Sequence, residues 1–128
     1  MFADTKAFSG FAVPDLARAR EFYESTLGLH VSEDTELLIL HLAGGRDTLV
    51  YPKPDHVPAT YTILNFPVAD IEAAVGGLIE RGVAMEMYDG FGQDEKGIAR
   101  GDEGPPIAWF RDPAGNILAV LEVEGPPA

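Results

Sequence analysis

The sequence contains no cysteine and few basic residues, and both shortages limit what the protein can be. Without cysteine there are no disulfides, no thiolate nucleophiles and no Cys-ligated zinc or iron–sulfur centres. Nine Lys and Arg stand against 21 Asp and Glu, which gives a net charge of −12. Such a field repels phosphate backbones and anionic lipid, so we expect no nucleic-acid or membrane partner. A neutral or cationic small molecule is a better partner. The alternative is that the negative charge serves only to keep the protein soluble.

Long apolar runs are missing as well, and we expect no leader sequence. No apolar stretch approaches the roughly 20 residues that span a bilayer. The N-terminus carries Asp4 and no basic stretch, unlike a secretory signal peptide, so we expect a cytoplasmic protein. With 46% apolar and 23% charged residues, the composition is that of a folded protein, and a length of 128 suits one domain or two small repeated halves that share a core.

An internal repeat divides the chain into two similar halves. Phe11–Ala19 recurs as Phe66–Ala74, with a phenylalanine, a valine, an aspartate and an alanine in step. Each copy begins as an extended apolar strand and then starts a helix, for which Asp15 and Asp70 are suitable N-caps. The sequence therefore predicts two modules of the same local structure.

Both modules are predicted to have the order β-α-β-β-β, with the linker Lys53–Thr60 between them. Helices are predicted over Leu16–Leu27 and Ile71–Arg81, each followed by a glycine that suits a left-handed helix end. One helix covers one face of each sheet, and the opposite faces either pack together or enclose something. After the helices, strands are predicted at Leu29–Glu33, Leu37–Leu42, Thr48–Pro52, Val83–Met87, Ile107–Phe110 and Ile117–Val123.

The glycine-rich segment Tyr88–Pro106 is too long and too irregular to be a mere connector. It is predicted to be a binding loop or a mobile flap, and the alternative is a disordered acidic loop. As a binding loop, it would close Tyr88 and Phe91 over a ligand and present Asp94 or Glu95 to a cation.

Three strings together resemble the vicinal oxygen chelate superfamily, which includes glyoxalase I, extradiol dioxygenases and the fosfomycin and bleomycin resistance proteins. They are Val13–Leu29 with its Phe-Tyr and Leu-Gly pairs, Val68–Ala74, and the Phe-Arg-Asp-Pro-Ala-Gly-Asn turn of Phe110–Leu118. The resemblance implies an α+β fold with two βαβββ modules in tandem, at about 5–53 and 60–124 of a single domain 1–128. It further implies a cupped mixed sheet with helices on its outer face, and a homodimer.

The metal positions of that superfamily hold no metal ligands in this sequence. Metal-binding relatives carry His, Glu or Gln on the inner face of the sheet, and the matching positions here are Phe8, Ile63 and Ala119. The fourth position falls on Val50 or Tyr51. None of these side chains is a usual ligand for a divalent cation, so we expect no metal and no cofactor. The resemblance is closest in character to the metal-free bleomycin resistance proteins, and enzymatic activity is in doubt.

The same resemblance places an apolar and aromatic surface inside the cup, which suits a flat small molecule held by stacking. The alternative is that these side chains simply pack the two halves together. His41 is either a polar contact for a ligand or a structural histidine. The candidate ligand-binding residues are Phe8, His41, Tyr51, Ile63, Asn65, Tyr88, Phe91, Asp94, Trp109 and Ala119.

The sequence leads to one main hypothesis and two alternatives. The main hypothesis is a metal-free protein that binds or sequesters a small hydrophobic or aromatic compound, neutral or cationic, such as an antibiotic. The first alternative is a metal-dependent lyase or dioxygenase with displaced ligands, and the second is a metal-free isomerase or cyclase. No G-x-S-x-G elbow and no phosphate-binding loop points to another chemistry.

Overall fold

The computed structural model describes residues 1–101 and 104–124. Within them the chain folds into two compact units, Met1–Val57 and a second from Pro58 onward. Each unit carries a mixed β-sheet and one helical region, so the predicted α+β class is confirmed. Asp102 and Glu103 of the predicted loop lie outside the described residues.

The first unit contains a four-stranded sheet in the order β1-β4-β3-β2. β1 runs parallel to β4, and the other neighbours are antiparallel. This pattern follows from a crossover between β1 and the hairpins that follow it. The strands are β1 Ser9–Val13, β2 His30–Asp34, β3 Leu37–Leu42 and β4 Arg46–Pro52.

The helical region of the first unit begins at Asp15, whose carboxylate accepts a hydrogen bond from Arg18 N at 3.2 Å. The α-helix α1, Leu16–Arg20, continues as a π-helical segment, Glu21–Thr26. The predicted single α-helix is therefore right in extent and wrong in type for its second half. The wider π turn was not predicted, because the apolar stripe of the sequence fits the 3.6-residue period of an α-helix.

Tyr23 is the centre of the first unit's core. It is fully buried, with its ring 5.7 Å from Phe11 and 5.2 Å from Phe22, centroid to centroid. Leu38 and Leu40 of β3 are also fully buried, and α1 contacts β3 and β4. One face of this sheet is thus covered by the helical region.

The second unit contains a three-stranded sheet in the order β5-β7-β6. β5 is parallel to β7, and β6 is antiparallel to β7. Asp70 caps the helix by accepting from Ala73 N at 3.1 Å, as the sequence predicted. The elements are β5 Thr62–Val68, the helix α2 Ile71–Glu80, β6 Ile107–Arg111 and β7 Ile117–Glu122.

The predicted strand Val83–Met87 is wrong as a full strand. Met85 makes one isolated bridge to Phe110, and Glu86 N donates to Trp109 O at 2.8 Å. Beyond this point the Gln93 side chain forms hydrogen bonds with Tyr88 N and Glu86 O, backbone groups that a neighbouring strand would otherwise have bound. A side chain that substitutes for a neighbouring strand leaves no periodic signal in the sequence.

The core of the second unit lies between α2 and the helix-facing side of the sheet. Ile71 and Val75 of α2 are buried together with Phe110 and Leu118 from the strands. Ile79, which the helix stripe predicts to be buried, is exposed instead. None of the helices among the described residues is long and apolar enough to cross a membrane.

Candidate ligand pocket

A pocket with a volume of about 250 Å³ opens in the second unit. Its walls come from the segment entering β5, from the loop after α2, and from the middle of the sheet. Most of the surface is aromatic or aliphatic. The lining residues are Thr60, Tyr61, Thr62, Tyr88, Phe91, Trp109 and Ile117.

Three aromatic rings form one side of this pocket and contact one another. Trp109 lies 5.5 Å from Tyr88 and 5.3 Å from Phe91, centroid to centroid, in edge-to-face arrangements at 74° and 68°. Tyr88 and Phe91 are 5.4 Å apart. These geometries are the favourable ones for aromatic quadrupoles. Because the Phe91 side chain is 51% exposed, the cluster keeps an open edge toward solvent.

The alternation of β6 explains why Trp109 lies in the pocket. Ala108 and Phe110 are buried on the side of α2, so Trp109 between them faces the opposite side. Its partner across the ladder is Ala119, which in turn pairs with Asn65 of β5. Ala119 is fully buried, and its small side chain leaves the indole room beside it.

A bulge in β5 changes which of its residues reaches the pocket. Thr62 pairs with Ile117 and Leu64 with Leu118, so Ile63 is the extra residue between two registers. Strict alternation places Ile63 on the inner face of the sheet, whereas with the bulge it is Thr62 that lines this pocket. Asn65 keeps its predicted side of the strand, one register step further along, but does not line the pocket.

Gln93 fixes the loop that carries Tyr88 and Phe91. Its side-chain oxygen accepts from Tyr88 N at 2.7 Å, and its amide nitrogen donates to Glu86 O and Gly97 O at 2.8 Å. These bonds join the two arms of the loop through one part-buried side chain. In the part that the structure describes, the segment is therefore a loop held by hydrogen bonds, and it carries two of the aromatic residues that line the pocket.

Asp94 braces the same loop and does not line the pocket. Its carboxylate accepts from Ile98 N at 3.0 Å and Lys96 N at 2.9 Å, and pairs with Arg100 at 2.7 Å. The backbone bond from Ile98, followed by that from Arg100, lowers the pKa of Asp94. Its charge is thus already compensated within the loop, while Glu95 beside it is exposed.

Glu72 ties this loop to the first turn of α2. It pairs with Arg100 at 2.6 Å and Lys96 at 3.1 Å, and these bonds lower the pKa of its carboxyl group. The same pairing raises the pKa of Arg100. Because all these side chains are well exposed, the network orients the loop more than it stabilises the fold.

Tyr88 also carries a polar atom, the oxygen of its phenol. Its Oη is buried, and no group in the described part of the chain stands in hydrogen-bond geometry to it. The hydrogen bond from its guanidinium to Glu86 raises the pKa of Arg111, and the neighbouring Tyr88 raises it further. Because Oη has almost no exposed surface, the pocket meets Tyr88 through other atoms of this residue.

Three predicted site residues belong to the first unit and do not line this pocket. Phe8 precedes β1 and is 67% exposed, and Tyr51 of β4 is exposed as well. His41 of β3 lies between Ser32 and Asp47. The pocket therefore collects Tyr88, Phe91 and Trp109 from the predicted set.

The residues that sequence reasoning missed lie mainly where β5 begins. Thr60 ends the predicted linker, and strict alternation with Ile63 on the inner face places Thr62 on the opposite face of its strand. The signal available in the sequence was a tyrosine, Tyr61, directly after the predicted linker. The structure leaves this tyrosine exposed. Gln93 gave no signal, because nothing in the sequence distinguishes a loop-bracing amide from a solvated one.

The side chains at the superfamily's metal positions do not fit a metal ion. Phe8, Ile63 and Ala119 offer no electron pair, and Val50 at the fourth position is fully buried and aliphatic. Tyr51, the other candidate for the fourth position, is exposed. Across residues 1–101 and 104–124, no three His, Asp or Glu side chains lie close enough to share a metal.

Comparison with known proteins agrees with the architecture. The sequence model of the Glyoxalase/Bleomycin resistance protein/Dioxygenase superfamily matches residues 7–120, and the chain belongs to this superfamily. The resemblance noted in the sequence is thereby confirmed. No sequence of a curated protein matches the chain.

Solved structures share the fold at low sequence identity. TnmS3, described as an antibiotic binding protein from Streptomyces sp. CB03234, is 24% identical with a TM-score of 0.67, covering 93% of this chain and 97% of its own. A glyoxalase family protein from Enterococcus faecalis is 21% identical with a TM-score of 0.69, covering 95% and 100%. The fosfomycin resistance protein FosX from Listeria monocytogenes is 12% identical with a TM-score of 0.71, covering 91% of both chains.

Proposed function

We propose that the protein binds a small, flat, apolar or aromatic molecule in the pocket of its second unit, without a metal. The observation that carries this proposal is the cluster of Tyr88, Phe91 and Trp109 on one wall of a cavity of about 250 Å³. Usual ligand pockets measure about 300–1,000 Å³. This one therefore suits a small compound or one ring system of a larger one.

Polar groups around the apolar wall narrow the ligand further. Thr60 and Thr62 bring two polar residues to a pocket whose other lining is mostly apolar. A planar ring system with a carbonyl or hydroxyl at its edge matches both features. The net charge of −12 favours a cationic compound over an anionic one.

Antibiotics are the ligand class to examine first. One protein of similar fold is described as antibiotic binding and another as a fosfomycin resistance protein. Sequestration needs no metal and no bond-breaking group, which agrees with the side chains at the superfamily's metal positions. On this proposal the protein protects the cell that makes it, because it binds the antibiotic and so lowers the concentration of free antibiotic.

Fluorescence of Trp109, the single tryptophan, tests the proposal directly. Titration with a panel of planar aromatic compounds is expected to give saturable quenching with at least one of them. Phe91→Ala removes an exposed ring next to Trp109 and is expected to weaken that binding about tenfold, equivalent to about 1.4 kcal/mol. Phe2→Ala, at an exposed phenylalanine outside the pocket, is the control and should leave the affinity unchanged. Equal affinities for the two variants would contradict the assignment of the pocket.

We also propose that the protein acts as a homodimer in the cytoplasm. Both units expose large apolar side chains that association would bury, among them Phe8, Tyr61 and Met87. Light scattering after size exclusion tests the dimer, for which the expected mass is twice 13.8 kDa. Fractionation of cells that express the chain tests the location.

A further inference from the structure

Three side chains in the first unit form a continuous chain of hydrogen bonds. His41 Nε2 lies 2.7 Å from Ser32 Oγ, and His41 Nδ1 lies 3.0 Å from Asp47 Oδ1. Each residue comes from a different strand, Ser32 from β2, His41 from β3 and Asp47 from β4. Nothing in the proposed ligand pocket uses them.

The sheet register holds this chain in place. His41 and Asp47 are direct cross-strand partners, and Ser32 is diagonal to His41 because it pairs with Ile39. Leu40 and Thr48, which alternate with these residues along β3 and β4, are buried. The three polar side chains therefore stand on the sheet face away from α1, where a substrate can reach them.

The order of the bonds sets the state of the imidazole. A carboxylate can only accept, so Asp47 takes the hydrogen bond of Nδ1–H. Nε2 of the neutral ring is then the acceptor and receives the Ser32 hydroxyl. This is the arrangement in which a histidine removes a proton from a serine nucleophile while a carboxylate fixes the tautomer.

We propose that Ser32 is an acyl-accepting nucleophile for activated esters or thioesters, with His41 as its general base and Asp47 as the positioning residue. Ser32 Oγ forms a bond to the acyl carbon, its proton passes to His41 Nε2, and the bond to the leaving oxygen or sulfur breaks. His41 then gives that proton to the leaving group. Water attacks the acyl-serine with the same proton relay, which returns Ser32 and releases a carboxylic acid.

The exposure of the His41 and Asp47 side chains determines how fast we expect Ser32 to react. The side chains of His41 and Asp47 are 43% and 52% exposed, so water screens their interaction. His30, the cross-strand partner of His41, is the other titratable group beside the ring. We therefore expect slow acylation of reactive substrates, with general-base assistance at the lower end of the usual range, about 100-fold.

A fluorophosphonate probe tests the proposal, with the modified peptide identified by mass spectrometry. The expected result is labelling at Ser32 that Ser32→Ala abolishes and that His41→Ala slows about 100-fold. Asp47→Asn should slow it by about tenfold or more, because the tautomer is no longer fixed. Ser9→Ala is the matched control, since Ser9 bonds to Thr48 and has no histidine partner. It should label like the parent protein.

Chemical rescue separates a base from a merely structural histidine. His41 is exposed, so free imidazole in solution can reach the space left in His41→Ala, and we expect it to restore part of the labelling of Ser32. The same experiment in Ser32→Ala must give none. Absence of label at Ser32, or a rate that is unchanged in His41→Ala, would overturn the proposal whatever the ligand titrations show.

Discussion

Asp112 shows how one buried carboxylate shapes the turn that leads into the pocket. Its Oδ1 accepts from Ala114 N and Asn116 N, both at 2.9 Å, and its Oδ2 accepts from Asn116 Nδ2 at 3.0 Å. Gly115 supplies the positive φ of 89° that the turn requires. The turn places Arg111 opposite Ile117, and so sets the register of β6 and β7 beside Trp109.

Replacing Asp112 by alanine is expected to destabilise the protein by about 2–3 kcal/mol, because several donors near it lose a charged acceptor. Urea unfolding measures the change. Asp89→Ala removes an exposed carboxylate of equal charge and should stay within about 0.5 kcal/mol of the parent. If both variants unfold at the same urea concentration, Asp112 does not have this role.

The structural role of a residue could be predicted from the sequence where a local rule applies. Asp15 and Asp70 cap helices as the N-cap rule requires, and the Asp-Pro-Ala-Gly-Asn turn forms where its residues indicate. The bulge at Ile63 could not be predicted, because a β-bulge depends on the partner strand and leaves no local mark in the sequence.

At the scale of elements, the loop between α2 and β6 decides the shape of the pocket. Gln93 joins its two arms through three hydrogen bonds, and Glu72 ties it to α2 through Arg100 and Lys96. From its length the sequence indicated a loop with a function. It did not indicate that Gln93 and Glu72 hold this loop in place. Those anchors are contacts between distant residues, which periodicity and propensity do not report.

Gln93→Ala is expected to loosen the positions of Tyr88 and Phe91, since Tyr88 N, Glu86 O and Gly97 O each lose a partner. We expect faster hydrogen exchange at the Tyr88 amide and a ligand affinity lower by about tenfold, the cost of one to two hydrogen bonds. Glu95→Ala, at the exposed neighbour two positions along, is the control. Unchanged exchange at Tyr88 in Gln93→Ala would mean that Gln93 does not hold the loop.

At the scale of the whole molecule, the repeat and the charge were the informative sequence features. The repeat predicted two helices with strands around them, and the superfamily match confirms the architecture to which that pattern belongs. The pocket could not be located in the same way. It depends on a bulge, a braced loop and the side of β6 on which one tryptophan falls.

The net charge of −12 predicts how salt will affect binding. Between about 50 mM and about 500 mM NaCl, the affinity for a cationic aromatic compound should fall several-fold, because the Debye length shortens from roughly 14 to 4 Å. A neutral compound of the same shape should change by less than about twofold, since apolar burial is not screened. Parallel calorimetric titrations measure both, and equal salt dependence would argue against a role for the charge.

Whether binding requires a metal is the most direct test of the account. Protein treated with EDTA and protein supplied with zinc, nickel or manganese should be titrated in parallel with a compound that quenches Trp109, and the metal content of each sample measured. We predict equal affinity in both samples and no stoichiometric metal. Saturable binding that appears only after one metal is added, together with one bound ion per chain, would contradict it.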